Sequence, residues 1–355
     1  MTRPPLEIRP DLESVAPYVS PQLPARYRLN TNETPYPPPQ ALVDDVTEEL
    51  REVALNRYPD RDASNLLGTI AEHAEWPRDG LWVANGSNEV FMHLFLAFGG
   101  PGRSTLLFEP TYSLHSLIPR IGNTSVVQVE RAPDFTIDLD AALHAIDRDR
   151  PEIVIVCSPN NPTGMCESLE TTAALADRAP GIVVVDEAYM EFAAPGKSAR
   201  SLLGAHENVV LVKTFSKAWR LAGVRIGYML AAPALVHEMA RVRLPYHLSA
   251  ITQIVGVAAI RHARETLALV AAIATERHRI ASGLEKMGIH VHPSDANFVL
   301  FDIDDAERVW KELLEREVLV RNYAGITRLA GCLRVTAGLP EETDAFLDAL
   351  REVLA

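Results

Sequence analysis

Lys217 has the clearest chemical potential in this sequence, because it closely follows an apolar run, 209–212, that predicts a buried strand. An ammonium group is costly to bring near an apolar core. Desolvation there lowers the pKa of a lysine and makes its amine a nucleophile for a carbonyl carbon. Ser216 beside it and Arg225 one strand later are residue types that hold a phosphate. Alone, the segment predicts either a lysine that bonds to a phosphorylated carbonyl compound such as pyridoxal phosphate, or a solvated lysine at a helix start.

Further polar clusters stand at the ends of neighbouring predicted strands. Residues 157–164 follow the apolar run 153–156, and residues 186–189 follow the run 182–185. In an open parallel sheet, ligands bind beyond the carboxyl ends of the strands. We therefore expect both clusters to meet the lysine segment, together with the turn at 85–89, at one edge of one sheet.

The ring of pyridoxal phosphate would give several of these residues a task. A carboxylate keeps the pyridine nitrogen protonated, so that the ring can accept electrons, and Asp186 is the candidate for it. Asn161 and Tyr189 could donate hydrogen bonds to the ring oxygen. Tyr112 could stack on the ring face.

The phosphate of such a cofactor would need backbone N–H groups at a helix N-terminus. Ser87 and Asn88, at the expected start of a helix, can supply them. Ser216 and Arg225 would complete this site. The convergence of ring and phosphate residues on one sheet edge is stronger evidence than any single motif.

The spacing of apolar runs predicts the scaffold that positions these residues. Continuous β-branched runs separated by helical patterns are typical of a mostly parallel sheet buried on both faces. The predicted strands are 81–83, 104–108, 125–129, 153–156, 182–185, 209–212 and 225–230. We expect an α/β fold with a seven-stranded, mostly parallel sheet and a smaller α+β C-terminal domain with strands at 297–301 and 333–336. The expected segments are an N-terminal arm (1–33), a large domain (34–245) and a small domain (246–355).

Composition narrows the class of partner. The formal net charge of −13 argues against nucleic acid or an anionic membrane as the main partner. The three cysteines show no disulfide or zinc spacing, and no signal sequence or membrane span is visible. We therefore expect a cytoplasmic protein.

Other kinds of site fit the sequence less well. A carboxylate at a strand end can bind magnesium beside a nucleotide, but no G-x-x-x-x-G-K-[ST] loop is present. A hydrolase of the nucleophile-elbow type needs G-x-S-x-G, which is also absent. His290 and His292 should face the same way on a short strand, but no third metal ligand is evident, so we expect a structural role for them.

The motifs resemble those of the fold-type-I aminotransferases of class I/II. The segments that carry this resemblance are Asn-Pro-Thr-Gly at 161–164, Asp-Glu-Ala-Tyr at 186–189, and Ser-Lys at 216–217 with Arg225. Segments 29–35, 56–59 and 331–336 are similar to the histidinol-phosphate aminotransferase branch. The resemblance implies a fold-type-I transferase that depends on pyridoxal 5′-phosphate.

The resemblance also implies a role for each site residue. Lys217, Asp186 and Tyr189 would be catalytic, with Lys217 bonded to the cofactor and then moving a proton between substrate and cofactor. The cofactor would be bound by Asp186, Asn161 and Tyr189 at the ring edge, Tyr112 on the ring face, and Ser87, Asn88, Ser216 and Arg225 at the phosphate.

Substrate and subunit contacts follow from the same resemblance. Tyr58 would reach the cofactor phosphate of a neighbouring subunit, which implies a homodimer with shared active sites. Arg334 matches the arginine that binds a substrate carboxylate across the class, and with Arg321 it would bind a substrate phosphate in this branch. Tyr18 and Asn32 would line the same pocket.

The implied reaction converts L-histidinol phosphate and 2-oxoglutarate to imidazole-acetol phosphate and L-glutamate, as in histidine biosynthesis. An aromatic amino-acid aminotransferase is the alternative with the same chemistry, and a lyase such as threonine-phosphate decarboxylase would share the cofactor site. A non-catalytic regulator would have no need of Lys217, Asp186 and Tyr189 together. Arg328 could add to phosphate binding or face solvent, and we favour solvent.

Overall fold

The computed structural model describes residues 7–13, 15 and 23–355. Its strands are β1 (Tyr27–Leu29), β2 (Leu81–Ala84), β3 (Ser104–Glu109), β4 (Ser125–Glu130), β5 (Ile153–Cys157), β6 (Ile182–Asp186), β7 (Val209–Thr214), β8 (Gly227–Leu230), β9 (Phe298–Asp302), β10 (Val318–Asn322) and β11 (Cys332–Thr336). Its α-helices are α1 (Gln40–Arg51), α2 (Ser64–Ala74), α3 (Ser87–Phe98), α4 (Leu114–Ile121), α5 (Leu139–Asp149), α6 (Leu169–Arg178), α7 (Pro233–Met239), α8 (Ala250–Arg261), α9 (Ala263–Leu267), α10 (Val270–Lys286), α11 (Ala306–Glu315) and α12 (Pro340–Leu354). Within these described ranges, no helix is both long and apolar enough to cross a bilayer.

The larger sheet has seven strands in the order β2-β8-β7-β6-β5-β3-β4. Only β8 runs against its neighbours, β2 and β7, and the other pairs are parallel. The prediction of a seven-stranded, mostly parallel sheet is confirmed. The carboxyl ends of β5, β6 and β7 therefore lie side by side.

Packing on both faces explains the continuous apolar runs of the central strands. Every residue of β5 and β6 is buried. Because side chains alternate along a strand, Val154 and Val183 enter one apolar cluster, while Ile155 and Val184 enter another on the opposite face. Burial on both faces fixes the position of each strand within the fold. It therefore also fixes the position of the polar residues that follow each strand.

A smaller sheet has the strand order β1-β10-β11-β9. The predicted strands at 297–301 and 333–336 correspond to β9 and β11. The prediction omitted β10 and treated residues 27–29 as part of an arm, whereas β1 pairs in parallel with β10. Three-residue strands carry too little pattern to be identified locally, and long-range pairing stabilises this one.

His290 and His292 lie on a segment that pairs with β9 through Val291 and Phe301. A third side chain that could bind a metal is nevertheless present, because Asp302 lies against both imidazoles. Asp302 belongs to β9, and it lies beside the two histidines because their segment pairs with this strand.

Helix α8 packs with α1 and α2 on the larger sheet rather than with the smaller one. It buries Val255, Val257 and Ala258 in the cluster that also holds Leu66. We therefore propose that the large unit extends through α8, beyond the boundary at residue 245 suggested by the sequence.

Gly227 allows β8 to pass directly against the turn that begins α3. A Cβ on Gly227 would overlap the backbone of Gly86 and the amide nitrogen of Ser87. We expect Gly227→Ala to lower the free energy of unfolding by about 3 kcal/mol, the upper end for overpacking, because backbone on both sides must shift. Urea denaturation followed by circular dichroism measures this change.

Gly204→Ala is the matched control, since nothing lies within 4 Å of the added Cβ. It should change stability by less than about 0.5 kcal/mol. Equal effects of the two substitutions would contradict the close approach at Gly227.

Candidate active site

A pocket of about 470 Å³ opens at the carboxyl edge of the larger sheet. Residues of the smaller sheet and of the segment after β1 form its other wall. The predicted residues that line it are Asn32, Ser87, Asn88, Tyr112, Asn161, Asp186, Tyr189, Ser216, Lys217, Arg225, Arg321 and Arg334. Tyr18 lies outside the described residues.

Lys217 follows β7 and points its amine into this pocket. Nζ donates a hydrogen bond to the carbonyl oxygen of Thr31 at 3.0 Å and lies 5.7 Å from the centre of the Tyr189 ring. Desolvation by burial, with the positive charge of Arg334, lowers the pKa of Lys217 to about 8. A larger fraction of the amine is therefore uncharged near neutral pH than in an ordinary lysine, as a nucleophile or proton acceptor requires.

Asp186 ends β6, and both of its carboxylate oxygens accept hydrogen bonds. The imidazole of His115 donates from Nε2 to Oδ2 at 2.9 Å, and the N–H of Ala188 donates to Oδ1 at 3.1 Å. His115 is itself fully buried, with its ring edge-on to Tyr112 at 5.4 Å. These contacts fix the carboxylate at the floor of the pocket.

A hydrogen-bonded network surrounds the Tyr189 hydroxyl. Asn32 Nδ2 donates to it at 3.0 Å and Asn161 Nδ2 at 3.4 Å. Burial raises the pKa of Tyr189 well above its usual range. The phenol therefore stays protonated and can donate a hydrogen bond into the pocket.

The turn before α3 forms an anion-binding concavity with Arg225. Gly86 has φ = +86°, and a Cβ there would collide with the Arg225 guanidinium. The N–H groups of Ser87 and Asn88 begin α3, where a helix has unsatisfied donors and a positive dipole end. Arg225 donates to Ser216 Oγ at 3.3 Å, so backbone, hydroxyl and guanidinium donors meet.

Two arginines lie together on the opposite wall. Arg321 on β10 and Arg334 on β11 are register partners, so their side chains share one face of the smaller sheet. Arg334 is buried and donates to Asn161 Oδ1 at 2.5 Å and to the Tyr323 hydroxyl at 2.8 Å. Among the described residues, neither arginine has a carboxylate partner.

Arg328 does not face the pocket. Its guanidinium donates to Glu130 Oε2 at 3.0 Å and to the carbonyl oxygens of Arg131 and Ala132. It connects the loop after β10 with the loop after β4 and is only partly solvated.

Tyr58 does not line the pocket of its own chain. Its side chain is 81% exposed and stacks on Tyr246, with ring centres 4.5 Å apart. Its predicted role toward a partner subunit stays a prediction.

The family model for aminotransferase class I and II matches residues 27–350. The chain belongs to this family. It is 47% identical over 360 residues to a histidinol-phosphate aminotransferase of Mycobacterium avium, covering 99% of this chain and 89% of the relative. The corresponding enzyme of Corynebacterium glutamicum is 45% identical over 359 residues, covering 98% and 97%. A histidinol-phosphate aminotransferase of Sinorhizobium meliloti, solved with pyridoxal-5′-phosphate, shares the fold with a TM-score of 0.88 at 24% identity, covering 98% and 97%.

Membership of this aminotransferase family confirms the expected cofactor, pyridoxal phosphate, and the residues of the pocket fit it. The donors around Arg225 suit its phosphate, and the carboxylate of Asp186 suits a protonated pyridine nitrogen. The amine of Lys217 opens into the same pocket, where it could bond to the carbonyl carbon of the cofactor. When bound, the cofactor supplies an electron-accepting ring that stabilises negative charge at the substrate carbon.

Two contacts in the aminotransferase site escaped prediction. His115 lies within α4 with no motif around it, and only the fold brings it to Asp186. The Thr31 carbonyl that receives the Lys217 hydrogen bond belongs to the backbone, which no side-chain pattern reveals.

The lowered pKa of Lys217 predicts how its reactivity depends on pH. Amines react with acetic anhydride only when uncharged, so Lys217 in the apoenzyme should gain reactivity with a midpoint near pH 8, against about 10.4 for an ordinary lysine. Arg334→Gln should move the midpoint upward, because it removes a positive charge that disfavours the ammonium form. Competitive labelling with peptide mass spectrometry measures both midpoints.

Arg328→Gln provides the matched control, because it removes one positive charge from a side chain that faces Glu130. Its Lys217 midpoint should equal that of the unchanged protein. A midpoint near 10.4 in the unchanged protein would refute the proposed desolvation.

Proposed function

We propose that this aminotransferase exchanges an amino group between L-histidinol phosphate and 2-oxoglutarate, forming imidazole-acetol phosphate and L-glutamate in histidine biosynthesis. The names of relatives at 45–47% identity over nearly the whole chain support this donor. A cytoplasmic location fits the three free cysteines, since thiols stay reduced there.

The paired arginines are the observation that supports a phosphorylated donor most directly. A phosphate monoester has about −1.5 to −2 charge near neutral pH. Arg321 and Arg334 present two guanidinium groups on one wall, apart from the Arg225 site that suits the cofactor phosphate. An aromatic amino acid would offer these two cations a single carboxylate.

The same wall suits the acceptor. 2-Oxoglutarate is a dicarboxylate, so one carboxylate can take the place of the donor's phosphate when the substrates alternate in one pocket. Guanidinium groups bind both anions through paired N–H donors. Arg334 already donates to Asn161 and Tyr323, which holds its plane toward the pocket.

Lys217 is the residue that moves the proton. With a lowered pKa, its Nζ would accept the proton that leaves the substrate carbon and would later donate it within the same pocket. The protonated Tyr189 hydroxyl donates a hydrogen bond beside it, and His115 holds the Asp186 carboxylate in place.

A donor comparison tests the proposal. Each of L-histidinol phosphate, L-phenylalanine and L-threonine phosphate is added alone to the purified holoenzyme, without acceptor. We expect histidinol phosphate to convert the visible absorbance to that of the pyridoxamine form at least about tenfold faster than phenylalanine, as loss of a charged contact predicts. Carbon dioxide release from threonine phosphate without this conversion would instead support the lyase alternative.

Arg321→Gln separates anion binding from chemistry. It should raise KM for histidinol phosphate by about tenfold or more while changing KM for phenylalanine little. Arg328→Gln, away from the pocket, is the control with the same change of charge. If phenylalanine reacts faster with the unchanged enzyme, the aromatic aminotransferase alternative is correct.

We also propose a homodimer in which Tyr58 acts on the partner's site. Large apolar side chains are exposed on two segments that the Tyr58–Tyr246 stack joins. The exposed residues are Leu55, Tyr58, Leu244, Tyr246 and Ile251. A group of this kind is typical of a surface that a protein partner covers, and a second copy would bury it symmetrically.

Mixing two defective variants tests this arrangement. Lys217→Ala should be inactive, and Tyr58→Ala should lose about tenfold in activity at limiting cofactor. A hybrid is a dimer of one Lys217→Ala chain and one Tyr58→Ala chain. If Tyr58 acts across the dimer, one site of each hybrid contains both substitutions and the other site contains neither. Unfolding and refolding the two variants together should then restore about a quarter of the activity of the unchanged enzyme, because the two kinds of protomer pair at random.

Size-exclusion chromatography with light scattering checks that hybrids form. Refolding each variant alone is the control and should restore nothing. Hybrid dimers without recovered activity would refute a role of Tyr58 in the partner's site.

A further inference from the structure

A second group of polar side chains lies outside the active site, at the end of β9. It consists of His290, His292 and Asp302, and we call it the histidine–aspartate cluster. Its candidate ligand atoms lie within 4.8 Å of one another. The aminotransferase chemistry described above uses none of them.

Backbone pairing builds this cluster. His290 and His292 alternate along one short extended segment, so their side chains share a face. The N–H of His292 donates to the Leu300 carbonyl and the N–H of Asp302 to the His290 carbonyl, both at 3.0 Å. Asp302 is thereby held beside both rings, whereas a chance surface cluster has no such backbone support.

The ring nitrogens converge on a single carboxylate. His290 Nδ1 lies 2.8 Å from Asp302 Oδ2, and His292 Nε2 lies 2.9 Å from Oδ1. Tetrahedral zinc with nitrogen and oxygen ligands at about 2.0–2.2 Å needs ligand atoms only slightly further apart. If the rings moved outward slightly, their two hydrogen bonds to Asp302 could be replaced by bonds to a metal ion. Each imidazole would then carry its proton on the nitrogen that does not bind the metal.

Surrounding contacts hold two of the three ligands. The thiol of Cys332, the register partner of Asp302, donates to Oδ1 at 3.2 Å. The His292 ring packs edge-on against Phe135 at 5.1 Å. Such outer contacts orient metal ligands, while His290, 67% exposed on its side chain, leaves the cluster open to solvent.

We propose that the histidine–aspartate cluster binds one zinc ion per chain, with His290, His292 and Asp302 as ligands and water in the fourth position. Two imidazoles and a carboxylate form a ligand set that zinc accepts. The net negative charge of the chain also favours a divalent cation.

Zinc content of the holoenzyme tests the proposal. The cofactor-loaded protein is stripped with a chelator, dialysed against low-micromolar zinc chloride, and analysed by inductively coupled plasma mass spectrometry. Bound cofactor would cover Cys157 and Asp186 in the active-site pocket, which with His115 form the other group of possible metal ligands among the described residues. We expect one zinc per chain, together with a higher melting temperature in zinc than in chelator.

His290→Ala/His292→Ala should lose this zinc. The matched control is His144→Ala/His237→Ala, which removes two exposed histidines on α5 and α7 and should keep one zinc per chain. Asp302→Asn, similar in shape, should also lose the ion and guards against misfolding of the double variant. Cofactor absorbance and the melting temperature in chelator confirm that each variant is folded.

Two results would overturn the proposal. One is an unchanged holoenzyme that retains no zinc after dialysis. The other is equal zinc in the cluster variant and in the control, which would leave the three side chains as a hydrogen-bonded sheet edge.

Discussion

The buried guanidinium of Arg334 is the interaction on which the site depends. It comes from β11 of the smaller sheet, yet it donates to Asn161 beyond β5 of the larger sheet and to the carbonyl of Asn30 after β1. Its Nε has no hydrogen-bond partner among the described residues. A buried cation without a carboxylate partner is costly, so Arg334 favours the binding of an anion in the pocket. Its positive charge also favours the neutral form of the Lys217 amine.

The segment after β1 belongs to the site as much as the sheet edge does. Thr31 accepts the hydrogen bond of the Lys217 amine, and Asn32 donates to Tyr189 and exchanges hydrogen bonds with Thr336. Thr34 donates to the Lys217 carbonyl. The segment after β1 thus makes hydrogen bonds to both the side-chain amine and the backbone carbonyl of Lys217. The orientation of the lysine therefore depends on the pairing of β1 with β10.

Much of this architecture could be predicted because it is encoded locally. Runs such as 182–185 are apolar throughout because both sheet faces are buried, and parallel strands must place Asp186 and Lys217 at one edge. The carboxylate–imidazole pair of Asp186 and His115 could not be predicted in this way. Neither could β1, or the position of Asp302 beside His290, because these contacts depend on pairing between distant segments that local periodicity does not record.

The register of β10 and β11 has a consequence for how this enzyme can diverge. Arg321 and Arg334 face the same way only because they stand opposite each other in an antiparallel pair. A single-residue insertion inside β10 would turn Arg321 to the other face of the sheet, whereas an insertion in the loop between the strands would leave the pair intact. The length of the loop between β10 and β11 can therefore change during evolution without loss of the arginine pair. The lengths of the two strands cannot, because a change there would separate the two arginines proposed to bind the substrate.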